Sequence, residues 1–122
     1  MKYLVVDDHA KFRTVLKSLL CGPNDHWHEC INGSEAMLAF AEFQPDWTLM
    51  DISMPGLDGL AATALITAAH PQARVIIVTQ HCGPEYEQAA REAGACHLVN
   101  KGDLPRLQEV ISNTQTRKHR VV

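Results

Sequence analysis

Apolar and polar positions follow two rhythms along the chain. Short runs such as "KYLVVD", "DWTLMDI" and "ARVIIVT" are separated by longer stretches in which apolar residues recur every three or four positions. The first rhythm predicts strands and the second predicts amphipathic helices. Phe12, Val15, Leu16, Leu19 and Leu20 form the stripe of a first helix, which "CGPND" stops with Gly and Pro. "HWHECI" alternates and predicts a weaker second strand. "NGSEAMLAFAEF" predicts a helix with Ser34 as its N-cap and Pro45 beyond its end. After the third strand, "SMPGLDG" is a loop, and Leu57, Leu60, Ala61, Ala64, Leu65 and Ala68 mark the next helix stripe. "ARVIIVT" is an unbroken apolar run, as expected of a strand covered on both faces. "PEYEQAAREAGA" is a helix closed by Gly94, "CHLVN" is a fifth strand, and Leu104, Leu107, Val110 and Ile111 mark a last helix.

Strand and helix therefore alternate five times. That order predicts an α/β fold, a doubly wound parallel sheet with helices on both faces. Open sheets of this kind bind ligands beyond the carboxyl ends of their strands. Asp7 and Asp8 stand at the end of strand one, Asp51 at strand three, Thr79 at strand four and Lys101 beside strand five.

Three acids on one edge repel one another unless a cation balances them. Oxygen ligands suit a hard divalent ion, and Mg²⁺ takes one or two carboxylates directly while keeping several waters. The Thr79 hydroxyl and the Lys101 ammonium suit phosphoryl oxygens. A carboxylate can also be the nucleophile. Asp51, alone on its strand with Asp7 and Asp8 opposite, is the candidate. The set points to phosphoryl transfer, which is mostly positioning and charge neutralisation.

Composition changes this picture little. The 122 residues fit one domain, and a hydrophobic share of 46% with 20% charged residues is ordinary for a globular chain. A formal net charge of −3, with "RKHR" as the one basic block, argues against nucleic-acid binding by this chain. No apolar stretch has the length of a membrane span, and the N-terminus lacks the pattern of a secretory signal. Cys21, Cys30, Cys82 and Cys96 form no C-x-x-C pair, which fits reduced thiols in a cytoplasmic protein. Cys30 and Cys96 read as small core residues, and Cys82, beside His81, as part of a loop. His26, His28 and Cys30 alternate along one strand and read as a half-exposed face, since no fourth metal ligand is evident.

The motifs "VVDDH", "LMDISMPGLDG", "VIIVT" and "VNKG", in this order, resemble the receiver domain of bacterial two-component response regulators over essentially the whole chain. The resemblance implies a flavodoxin-like sheet of strand order 2-1-3-4-5 and a domain over residues 1–116, with 117–122 a basic tail or linker stub. It implies that Asp51 accepts a phosphoryl group from a sensor histidine kinase. Asp8, Asp51 and the Ser53 backbone carbonyl would hold Mg²⁺, with Asp7 acting largely through water. Thr79 would turn toward the phosphoryl group and Lys101 would pair with it. Such a domain is a switch rather than an enzyme, with at most slow self-dephosphorylation. Its signal leaves by a distant face that includes the fourth helix, with Tyr86, Glu87 and Arg91 on or near it, and phosphorylation can drive dimerisation. Leu98 stands where family members mostly carry Tyr or Phe, and Ser53 and His81 hold the two variable positions flanking the acceptor. Gly102 after Lys101, where many members have Pro, resembles the transcription-regulating subfamily with a helix-turn-helix output domain. Two other readings compete: a phosphate-independent interaction module, and a phosphatase of the haloacid-dehalogenase type. The latter class wants a D-x-D nucleophile motif on its first strand, where this chain has adjacent aspartates.

Overall fold

The computed structural model describes residues 1–81 and 83–113 in full and residues 114–120 as helix backbone. Each apolar run forms a strand and each stripe a helix. In chain order these are β1 (Lys2–Val6), α1 (Ala10–Leu20), β2 (His26–Cys30), α2 (Gly33–Phe43) and β3 (Trp47–Met50). They continue with α3 (Gly59–Ala69), β4 (Val75–Thr79), α4 (Pro84–Glu92), β5 (His97–Asn100) and α5 (Leu104–Arg120). The five strands are parallel in the order β2-β1-β3-β4-β5, the flavodoxin-like arrangement. The side chains of the basic tail, 117–122, and Cys82 lie outside the described residues.

The sheet divides two cores because successive strand residues face opposite ways. Leu4, Val6, Met50, Val75 and Ile77 pack with Ala36, Phe40, Ala62 and Ile66 of α2 and α3. Val5, Leu49, Ile76, Val78 and Val99 pack on the other face with Leu16 of α1 and Leu107, Val110 and Ile111 of α5. All of β4 is buried, as its unbroken run requires, whereas the edge strand β2 exposes His26 and His28 and buries Cys30.

Four sequence expectations change, the first being Val15, counted in the apolar stripe of α1 and exposed at 47% beside the buried Leu16. The N-cap of α2 is Asn32, not Ser34. Its side chain accepts the Glu35 N–H at 2.9 Å while the Glu35 carboxylate accepts the Ile31 N–H at 2.9 Å, a reciprocal cap. The buried face of α3 is Gly59, Ala62, Thr63 and Ile66, so Ala64, Leu65 and Ala68 of the expected stripe are exposed. Cys96 is also exposed, because it precedes β5 rather than lying within it.

The ladder continues one residue past the strands and so places the site. Asp7 N–H donates to the Cys30 carbonyl at 3.0 Å, Asp51 N–H to Val6 at 3.0 Å, and Lys101 N–H to Thr79 at 2.9 Å. The Asp51 backbone is also braced from α3. A Cβ on Gly59 would lie 1.8 Å from the Asp51 carbonyl oxygen, so only glycine fits there. Gly59→Ala must push α3 or Asp51 aside. We expect a loss of about 3 kcal/mol, the upper range for overpacking, read as a lower urea midpoint at unchanged slope.

Candidate functional site

Asp7 and Asp51 are 2% and 4% exposed. Between them lies Lys101, whose Nζ is 2.8 Å from Asp7 Oδ2 and 3.1 Å from Asp51 Oδ2. The same ammonium stands 4.5 Å from the centre of the Phe12 ring, on α1. Asp51 Oδ1 accepts the Ile52 N–H at 2.8 Å, so both oxygens of that carboxylate are oriented. His9, at the N-cap of α1, donates its N–H to Asp7 Oδ1 at 2.8 Å. Its ring Nδ1 lies 3.0 Å from Asp7 Oδ1 and 3.1 Å from Asp8 Oδ1. Ligand atoms of Asp7, Asp8, His9 and Asp51 all fall within 4.8 Å of one another.

The electrostatics are unbalanced. Three carboxylates face one lysine. Burial and the neighbouring Asp7 charge raise the Asp51 pKa above its ordinary value, against the pull of Lys101. Burial works to lower the Lys101 pKa, but its pairing with Asp7 and Asp51 outweighs this and raises it. Both values rise, but a raised lysine pKa favours the charged form and a raised carboxyl pKa disfavours it: one ammonium serves two acids, so Lys101 is well paired and Asp51 is not. A pocket of oxygen donors that leaves a buried carboxylate short of positive charge fits a hard divalent cation such as Mg²⁺.

The structure thus brings Asp7, Asp51 and Lys101 into direct contact, with Asp8 joined through His9 on the exposed rim. Thr79 is fully buried at the end of β4, and its Oγ1 accepts the His81 N–H at 3.2 Å. Ser53 lies exposed in the loop after Asp51, with its Oγ 2.7 Å from His81 Nε2. The His81 ring stacks on Tyr86 of α4 at 5.1 Å between centres. Sequence reasoning missed His9 and Arg13, whose guanidinium donates to the Asp7 carbonyl at 2.6 Å. The signal for His9 was its place directly after the acid pair, at the start of a helix.

A five-stranded parallel sheet with an acid cluster and one lysine at its carboxyl edge defines a receiver-type α/β domain. Residues 3–112 match the family model described as the response regulator receiver domain, and the chain belongs to that family. It is 41% identical over 97 residues to the DNA-binding transcriptional regulator NtrC of Salmonella typhimurium, and 34% identical over 104 residues to the response regulator GacA of Pseudomonas syringae. These matches cover 80% and 84% of this chain but 21% and 49% of the relatives, so it corresponds to part of their length. Its fold is similar to the response regulator domain of Thermotoga maritima CheB, with a TM-score of 0.83 and 31% identity over 93% of this chain and 94% of that one. A LuxR-family response regulator from Aurantimonas is also similar, with a TM-score of 0.80 and 31% identity over 90% of this chain and 83% of that one. The chain is a phosphorylation-switched signal receiver, and the acidic pocket is the place in it suited to a phosphoacceptor. Receiver domains work with sensor histidine kinases and generally bind Mg²⁺ at this pocket. Among the described residues no helix is long and apolar enough to cross a membrane.

The raised Asp51 pKa sets a pH dependence. A carboxyl group easier to protonate in the folded chain than in the unfolded one costs stability when it ionises. That cost grows as pH rises from the ordinary value of 3.8 through the raised folded value. The Lys101 contribution is lost only as pH rises from 10.5 through its own raised value, outside this window. Asp51→Asn cannot ionise. Without divalent cations it should have a higher urea midpoint than the parent at pH 7, and the difference should vanish below about pH 3.8. Urea unfolding across this range in chelator checks both the sign and the window.

Proposed function

We propose that Asp51 is the phosphoacceptor and that its phosphoryl donor is a sensor histidine kinase. The carboxylate oxygen attacks phosphorus, the bond from phosphorus to the donor imidazole nitrogen breaks, and an acyl phosphate forms on Asp51. The observation that carries this reading is the Lys101 ammonium held between Asp7 and Asp51, where it can neutralise charge on the incoming group. The Thr79 hydroxyl supplies a donor from β4 as it turns toward the phosphoryl oxygens. Asp7, Asp8, Asp51 and the Ser53 carbonyl would hold Mg²⁺, which when bound supplies the missing positive charge beside the transferred group.

In this reading the chain is a switch with at most slow self-dephosphorylation. Phosphorylation shifts an existing equilibrium at a distant face, including α4, and can promote a dimer. The domain spans residues 1–116. Its relative NtrC is a DNA-binding regulator and this chain spans 21% of it, which supports a receiver that serves a DNA-binding output region, while the formal net charge of −3 argues against nucleic-acid binding by this chain itself. Its place is the cytoplasm, alongside a kinase's catalytic portion.

Intact-protein mass spectrometry after incubation with Mg²⁺ and acetyl phosphate tests the acceptor. The parent should gain one phosphoryl group and Asp51→Asn none. A gain that persists in Asp51→Asn would reject Asp51. In the same samples, Mg²⁺ at about 100 times its dissociation constant should raise stability by about 2.7 kcal/mol. At that concentration Asp8→Asn should lose most of the rise.

A further inference from the structure

Arg13 has no part in the phosphoryl chemistry, yet it is tied to the acid pocket more tightly than any other group on α1. Its Nη1 donates to the Asp7 backbone carbonyl at 2.6 Å, and its Nε donates to Glu29 Oε1 at 2.9 Å. The other Glu29 oxygen accepts the Trp27 indole N–H at 2.8 Å. β1 ends at Val6, so the Asp7 carbonyl lies past the ladder, in the peptide that joins Asp7 to Asp8. The fork spans this carbonyl and the Glu29 carboxylate, so its bond to the carbonyl comes from an anchored donor and favours one orientation of the peptide plane. Through that plane it fixes where both carboxylates leave the backbone. The grip comes from one turn into α1, since Arg13 N–H also bonds the His9 carbonyl at 3.1 Å.

The charge is managed as well. A lone guanidinium beside a cation pocket would repel the cation. Here Glu29 pairs with it. Burial works to raise the Glu29 pKa, but bonds from Trp27 and Arg13 outweigh this and lower it, so the carboxylate is held ionised. Glu29 and Trp27 belong to the edge strand β2, so three elements meet at the Asp7–Asp8 peptide.

We propose that Arg13 is a positioning residue for the cation pocket, aiming Asp7 and Asp8 by holding their shared peptide, while Glu29 cancels its charge and Trp27 reports its state. The proposal rests on the reading that this pocket takes Mg²⁺. It has a test in which two effects differ in sign. Removing a positive charge near a cation site tightens binding by simple electrostatics; losing the grip on the peptide weakens it.

The experiment is Mg²⁺ titration by calorimetry together with the Trp27 indole ¹H–¹⁵N resonance, which Trp27→Phe assigns. Arg13→Met keeps the aliphatic stem and removes the fork. It should weaken Mg²⁺ about tenfold, the low end for residues that orient metal ligands. Arg13→Lys keeps the charge without the fork and should be intermediate. In the parent the indole resonance should shift with the Mg²⁺ midpoint, and in Arg13→Met that shift should be lost. A parent that binds Mg²⁺ while Arg13→Met binds it equally or more tightly overturns the inference alone. So does a parent indole that ignores bound Mg²⁺. A parent that binds no Mg²⁺ overturns the reading of the pocket, and the inference with it. Should Arg13→Met fail to fold, Arg13→Lys decides, because binding equal to the parent's overturns the proposal.

Discussion

Two buried carboxylates share one ammonium, and the architecture follows from the need to keep them together. Asp7 and Asp51 are almost fully enclosed and repel each other, and Lys101 reaches both. A buried like-charge pair persists where an opposite charge pairs with both members and the backbone holds all three in place. The parallel ladder provides that constraint. Val6 pairs with Met50, and the Val6 carbonyl still accepts the N–H of Asp51, so the acids lie on neighbouring strands whose spacing the sheet fixes. Lys101 comes from the far edge, past Asn100, where its own N–H continues the ladder from Thr79.

Much of this was legible in the sequence for a simple reason. The period of a strand and the period of a helix differ, and a run such as "ARVIIVT", short for a helix and rich in β-branched residues, favours a strand. Once five strands alternate with five helices, handedness and burial leave few arrangements, and the ends of the strands fall on one edge. Asp7, Asp51 and Lys101 could therefore be placed together before any coordinate was known.

The rest was not legible because it depends on phase, not on period. Helix α3, "GLAATALITAA", is apolar on every side, so hydrophobicity cannot choose which face is buried; the approach of Gly59 to the Asp51 backbone chooses it. Asn32 and Ser34 are both competent caps, and the reciprocal bond from Ile31 to Glu35 selects the first. The roles of His9 and Arg13 are set by where α1 begins, a boundary that the apolar stripe starting at Phe12 does not define. Cys96 needed the start of β5 to be known to within one residue.

The same constraint bears on how the proposed phosphoacceptor would signal. Its folded state holds Asp51 in an environment that penalises its charge, with a single lysine already shared. A group arriving at Asp51 alters the balance around Lys101, and any response of that lysine acts on Asp7 and on the Phe12 ring beneath it. On the other side, Ser53 and Thr79 both bond to His81, whose ring stacks on Tyr86 in the first turn of α4. Leu98 is half-buried on β5 and packs in the same core as Ala90 and Tyr86 of α4, and the His81–Tyr86 stack joins the loop after β4 to that helix. Ser53, in the loop after Asp51, and Thr79, at the end of β4, thus reach the head of α4 through His81.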